Sequence, residues 1–535
     1  MKNIQRISIH VLVTLLLITL LFPGLAIAQL TAQNEVRDLL RNDYVDPVQA
    51  DVLNAPTIDS MLEKLGDPHT SFLTAAEYQD FNDSLEQTFT GIGIYLDIVP
   101  EGVKVTGLVG GSPADKAVLR AGDIITSVGS HSLKGLSSEE AIPLIRGPEG
   151  STIQLLVLRD GVSFTVQVER RSIEVPSVID EIKPFQIGYL RISTFGSETG
   201  KLFASSLENL RRQNPGSYIV DLRDNGGGYV TAALDIAGYF ISDEVAIQTQ
   251  YRTGPPSLER ADKHNYIVDK PTIYLINQNS ASASEILAGA VKDYGQALII
   301  GTQSYGKGSM QQMYTLNSGD YFKMTVARFL SPLGHQINKV GITPDLLIEK
   351  SDPLKVAQLV LSPINPEENI KDLVEFSLAS RSITINTQQA REQEYWQAYG
   401  EIIDRIGLGL MKGTADGWKP VNTQEVSDRW SLYYPDYQLS NQLTNVAVDK
   451  KFTIHFPRSI NMQTVNPSNI ELIAKDSGER VPLTFAPLNS TELQAVPDTN
   501  LLPGTTYWLI LHPGIQYTDN ISLGTGVVCT ATVSP

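Results

Sequence analysis

The feature that most constrains this chain is the rhythm of residues 173–350. Short apolar runs alternate there with amphipathic stretches of helical length. Gly188-Tyr-Leu-Arg-Ile192, Tyr218-Ile-Val-Asp-Leu222, Thr272-Ile-Tyr-Leu-Ile276 and Ala297-Leu-Ile-Ile300 read as strands. Thr199 to Arg212, Ala232 to Tyr239 and Ser284 to Tyr294 read as helices between them. A strand–helix alternation of this kind builds an α/β core.

The flanks have other characters. Lys2 and Arg6, the apolar run Val11 to Phe22, Pro23-Gly24 and Ala26-Ile-Ala28 follow the order of an export signal over residues 1–28. That run is shorter than the ~20 residues a bilayer span requires. Residues 29–87 read as a helical N-terminal region. Residues 88–171 form a small β-rich module, with short alternating runs such as Phe164-Thr-Val-Gln-Val168 and a capped helix at Ser137-Ser-Glu-Glu140. The core is placed at 172–350. Residues 351–439 are polar and partly helical, read as a linker of unknown role. Residues 440–535 carry short alternating strands between regularly spaced turn signals, as in a β-sandwich.

Composition narrows the function. Lys+Arg 42 against Asp+Glu 59 gives −17, and losing Lys2 and Arg6 with residues 1–28 gives −19. So acidic a body lacks the basic face that nucleic acid requires. One cysteine, Cys529, excludes an intrachain disulfide framework and cysteine-based metal centres. The seven histidines show no metalloprotease spacing, and Asp221 with Asp224 lacks further obvious ligands, so neither a metal nor another cofactor is expected.

Two segments carry chemistry, each following an apolar strand, where α/β folds expose functional loops. In Ser280-Ala-Ser-Ala-Ser-Glu285 small residues permit a tight turn into a helix, whose free amides offer an oxyanion site. Ser282 with Glu285 is also the spacing of a plain capping box. In Tyr305-Gly-Lys-Gly308 the lysine mimics a phosphate loop, but Gly308 stands where Ser or Thr would hold magnesium, and hairpin strands follow instead of a helix. A Ser–Lys pair is the alternative. The amine must be neutral to act as a base, so its pKa of about 10.4 must fall by about 3, equivalent to ~4–5 kcal/mol of differential desolvation. Gln311 is a neutral group able to orient that amine. A Ser–His–Asp triad through His335 or His264 is compatible with the spacing too. The glycine run in Asp221-Leu-Arg-Asp-Asn-Gly-Gly-Gly228 suits a backbone-amide anion site or a flexible turn.

Seven motifs in order resemble those of the C-terminal processing peptidases, or tail-specific proteases. They are Leu65-Gly-Asp-Pro68 with Ser71-Phe-Leu73, Gly91-Ile-Gly-Ile94, Ser112-Pro-Ala-Asp115 through Ala121-Gly-Asp-Ile124, Asp221-Leu-Arg223 with Gly227-Gly228, Ser280 to Ile286, Tyr305 to Gly308, and Gly341-Ile-Thr-Pro-Asp345. The resemblance implies a crotonase-like α/β protease core with an inserted PDZ domain at 88–171. It implies Ser282 as nucleophile, Lys307 as base, Gln311 as orienting residue, and oxyanion donors at the amides of Ala283 and Gly227. The PDZ groove, bordered by Gly91, Ile92, Gly93 and Ile94, would capture the C-terminal tails of protein or peptide substrates by strand addition. Gly226 departs from the proline common in the family. The last ~90 residues resemble a bacterial Ig-like domain. The expectation is an exported serine endopeptidase, extracytoplasmic, for which cell-envelope association and a homo-oligomer are both compatible. The contrasting readings are a non-catalytic PDZ and Ig-like binding or scaffold protein with a degenerate core, and an acyl-CoA-type enzyme of related fold, in which the PDZ insertion has no place.

Overall fold

The structure, a computed structural model, describes residues 23–535. The charged and apolar leader expected before residue 23 lies outside them.

A six-stranded sheet forms the centre, in the order Val178–Lys183, Ile187–Ile192, Ser217–Asp221, Thr272–Ile276, Leu298–Gly301 and Leu346–Leu347. Its first pair is antiparallel and the rest are parallel. The strands are apolar throughout because both faces are buried. Tyr218, Val220, Tyr274 and Ile299 point to one side, beneath the helices Thr199–Arg211, Val230–Ile241 and Ala283–Asp293. Ile219, Ile273, Leu275 and Ile300 point to the other.

What covers that second face corrects the expectation of a linker. Residues 351–439 hold the helices Pro353–Val360 and Gln393–Ile406 and a four-stranded sheet. Val356, Leu359, Trp396, Tyr399 and Ile402 pack directly on the central sheet. Trp508 and Ile510 of the C-terminal region join the same cluster, and the Trp396 indole donates to the Lys475 carbonyl at 2.8 Å. The stretch is a wedge, apolar on both sides.

The N-terminal region is likewise continuous with the core. Ala32, Val36 and Leu40 follow helical spacing along Pro23–Asp43 and pack with Met61 onto Leu316, Phe322 and Met324. Ser71–Leu73 is a strand paired antiparallel with the hairpin strand Tyr321–Leu330. That hairpin partners Ser309–Thr315 with Tyr321–Leu330, as its alternation predicts.

The β-rich module has its own core around Val103, Ile125, Leu155 and Val157. Its boundaries are tighter than 88–171. Thr88–Gly91 and Arg171–Glu174 pair with each other as a separate two-stranded ribbon that tethers the module. The C-terminal region is two sheets, five- and three-stranded, closed around Phe452, Leu472, Leu493 and Leu509.

Candidate functional site

The loops at the carboxyl ends of the central strands meet around a cavity of about 530 Å³. Ser282, Lys307, Gln311 and Gly226 to Gly228 all line it, so the structure brings the separated motifs together.

The three serines of Ser280 to Ser284 divide their work. Ser280 Oγ donates to the Leu222 carbonyl at 2.8 Å, and Ser284 Oγ donates to the Asn225 carbonyl at 2.9 Å. Both are fully buried and staple the turn to the glycine loop. Ser282 stands at φ 56°, ψ −114°, a costly conformation for a side-chain-bearing residue. A sharp strand-to-helix turn of this kind presents a nucleophile on hydrolase sheets. Ser282 and Glu285 have the mutual arrangement of a capping box, yet the Ser282 side chain forms no cap hydrogen bond. Its hydroxyl is left for the cavity.

Glu285 is the hub beneath it. Its Oε2 accepts from the Ser282 amide at 2.9 Å and the Lys307 amide at 2.8 Å, and its Oε1 from the Gly306 amide at 2.7 Å and the Ser304 hydroxyl at 2.5 Å. One buried carboxylate therefore sets the backbone of both Ser282 and Lys307. Burial pushes its carboxyl upward against these four donors.

Burial, reinforced by the charge of Lys323, lowers the Lys307 ammonium from the usual lysine range, while Glu285 and Asp67 oppose the shift. Lys307 forms no ion pair among the described residues. Gln311 Nε2 donates to Ser309 Oγ at 2.9 Å and Thr325 Oγ1 at 3.3 Å, which leaves its carbonyl oxygen to meet the amine. Thr325 in turn donates to Asp67 at 2.7 Å. Burial would raise the Asp67 carboxyl, but the Thr70 and Thr325 hydroxyls and the His69 amide hold it below the usual carboxylate range. The Leu65-Gly-Asp-Pro68 motif thus braces the site from the N-terminal region.

Among the oxyanion donors, the Ala283 amide opens the helix Ala283–Asp293 and has no hydrogen bond of its own among the described residues. Gly227 departs from expectation: its amide donates to Asn225 Oδ1 at 2.9 Å. The neighbouring Gly226 and Gly228 amides carry no hydrogen bond among the described residues. Gly227 is needed for closeness instead, since a Cβ there, at φ 103°, would stand 2.7 Å from the Ser282 Cβ.

Neither triad histidine reaches this cavity. The His335 ring bonds Asp293 at 3.0 Å, and His264 stacks on Tyr239 and pairs with Asp235. His69 lies nearer, with its imidazole lowered by burial and by the charge of Lys307. Asp221 is spent on Tyr189 and on a bidentate bond from Arg223, which also reaches Asp352.

In the β-rich module, Ile94–Val99 is an edge strand, pairing among the described residues only with Gly102–Leu108, so its free edge can accept a further strand. Gly93, at φ 80°, packs against Ser112, whose hydroxyl donates to the Gly93 carbonyl at 3.1 Å. Ile92 does not border a groove: it is buried in the module core beneath the Ala114 turn.

The sequence profile of peptidase family S41 matches residues 186–348, and that of the PDZ domain matches residues 104–159. The chain is 31% identical to the carboxy-terminal processing protease CtpB of Bacillus subtilis over 372 residues, 67% of this chain and 76% of that protein. It is 31% identical to CtpA of the same organism over 328 residues, 61% of this chain and 70% of that protein. It is 34% identical to the carboxy-terminal-processing protease of Bartonella bacilliformis over 334 residues, 61% of this chain and 76% of that protein. With a cavity ringed by Ser282, Lys307 and the glycine loop, and with these relatives matched over more than two thirds of their length, the chain belongs to the carboxy-terminal processing proteases, serine peptidases of family S41 that carry a PDZ domain.

Proposed function

We propose that the chain is an exported endopeptidase that hydrolyses peptide bonds near substrate C-termini, with Ser282 as nucleophile, Lys307 as general base and Gln311 holding the amine. The observation that carries the assignment is the division among the serines: only Ser282 is strained, unspent and at the cavity. The neutral amine of Lys307 takes the Ser282 proton as Oγ attacks the substrate carbonyl. The Ala283 amide and a glycine amide of the 226–228 loop receive the developing oxyanion. The lysine then returns the proton to the leaving amine, and water hydrolyses the acyl-enzyme with the lysine again as base. The open edge of Ile94–Val99 suits tail capture by strand addition, with Gly91, Gly93 and Ile94 at the groove mouth.

On the same reading the core is crotonase-like, the N-terminal region is its helical brace, and residues 440–535 are a bacterial Ig-like domain that binds or spaces without chemistry. The export signal in residues 1–28 sets an extracytoplasmic location. The test is cleavage of a denatured protein with an apolar C-terminus, comparing wild type with Ser282→Ala and Lys307→Ala. Loss of cleavage in both folded variants is expected. Full activity in Lys307→Ala removes the Ser–Lys assignment, and inactive wild type favours the scaffold reading.

A further inference from the structure

The cavity holds a second lysine that the mechanism leaves unused. Lys323 lines the same wall as Lys307 and is half-buried, with its ammonium 5.0 Å from the Phe81 ring centroid. Among the described residues its ammonium forms no ion pair and no hydrogen bond. Asp67, the carboxylate whose charge reaches it, is engaged by Thr70, Thr325 and the His69 amide. A partly desolvated ammonium without a counter-ion is unfavourable, and the wall around it mixes apolar side chains, Leu85, Met313 and Phe329, with neutral polar ones such as Ser84, Gln87 and Ser193. An anion entering the cavity would supply the partner that this ammonium lacks.

Register says where along the substrate that anion sits. Gln311 lies opposite Thr325, and Met313 opposite Lys323, in the Ser309–Thr315 and Tyr321–Leu330 hairpin. Alternate residues share a face, so Lys323 projects on the Gln311–Thr325 side, one row further on. Rows are spaced by two residues, roughly 6.6 Å. Lys307 must hand its proton to the leaving amine, so the leaving fragment passes on the lysine side of Ser282. That fragment of a peptide always ends in one anion whatever its sequence, the terminal carboxylate.

We propose that Lys323 receives the C-terminal carboxylate of the leaving fragment, making the protease core itself a reader of free tails about two residues beyond the scissile bond. The proposal rests on Ser282 and Lys307 acting as assigned above. It gives the core a selectivity separate from tail capture by the PDZ groove.

The experiment uses the full chain and an apolar peptide whose cleavage about two residues from its end is verified by mass spectrometry. The peptide is made with a free carboxylate and with a C-terminal amide. A second pair places the same bond about eight residues from the end. Wild type is expected to cleave the short acid about tenfold better in kcat/KM than the short amide, the scale of one charge-assisted hydrogen bond. Lys323→Gln is expected to abolish that ratio and leave the ratio for the long pair unchanged, while Lys323→Arg retains most of it. Any effect of Lys323 on the base slows acid and amide alike and cancels in the ratio. Equal cleavage of the short pair by wild type, or an acid preference that survives Lys323→Gln, overturns the proposal. Cleavage surviving in Ser282→Ala overturns the nucleophile assignment instead, and is read independently of the ratio.

Discussion

Replacing Glu285 with glutamine should uncouple the site without changing its shape. The carboxylate takes four donors, two on each oxygen, at 2.5 to 2.9 Å. A glutamine in the same place accepts on one oxygen and turns an NH₂ toward two donors. Two hydrogen bonds to a charged group, each contributing roughly 1.5–3 kcal/mol, are lost. Relief from burying a charge offsets part of the roughly 3–6 kcal/mol total. A net loss of about 2–4 kcal/mol is expected in a urea melt. Whichever way the amide turns, it releases a backbone amide at Ser282 or in the Gly306–Lys307 loop, and a displacement of about 1 Å at a reacting pair costs on the order of 100-fold in kcat. A third readout separates this from general loosening. The Glu285 charge favours the protonated Lys307, so its removal lets the amine lose its proton more easily. The acid limb of kcat/KM against pH should move to lower pH, measured on the residual activity. A Glu285→Gln protein as stable as wild type, or an acid limb that moves to higher pH, refutes the reasoning.

Other outcomes are as definite. Lys307→Met should abolish turnover and raise stability at neutral pH. The lysine is depressed in the fold, so its contribution is present above about pH 10.4 and is lost as pH falls through the folded value, and the melting difference from Met should widen toward acid. Gly227→Ala places a Cβ 2.7 Å from the Ser282 Cβ and 2.8 Å from the Ala281 carbonyl at φ 103°, so kcat should drop at least about 100-fold, with about 1–3 kcal/mol lost in a thermal melt. Asp67→Asn should cost about 1–3 kcal/mol at neutral pH. The wild-type carboxyl is held low, so its advantage is present above about pH 4 and disappears as pH falls through the depressed value, which parallel urea melts down to acid pH will show. Trp396→Ala removes a fully buried side chain between the central sheet and the C-terminal sandwich, and should cost about 3–5 kcal/mol by denaturant titration.

Much of the site was readable along the chain because its chemistry is local. Ser280 to Glu285 and Tyr305 to Gly308 each sit just past a strand that the apolar pattern identifies, and a serine beside a helix start or a lysine between glycines is informative without its partners. Glu285 was readable only as half of a capping box. Its grip on Gly306 and Lys307 spans about twenty residues and has no local signature. The same holds for Asp67, whose brace on Thr325 crosses 258 positions, and for Lys323, one lysine among many until the hairpin register turns it into the cavity. A glycine run announces bare backbone but not which amide Asn225 will take, and it takes that of Gly227. The wedge at 351–439 did have a signal: strands apolar on both faces require cover on both, and the helices between them supply only one layer.

Local order in this protein follows from side-chain periodicity, turn residues and helix caps, which act over a few positions. These were enough to determine the α/β core, the β-rich module, the C-terminal strands and the two loops that hold the reactive groups. Which serine keeps a free hydroxyl, which carboxylate ties it to the lysine, and what seals the second face of the sheet depend on contacts between residues tens to hundreds apart. Those contacts exist only after burial removes water from between them. Desolvation in the assembled cavity lowers the Lys307 amine below its ordinary range, and that makes it a candidate base.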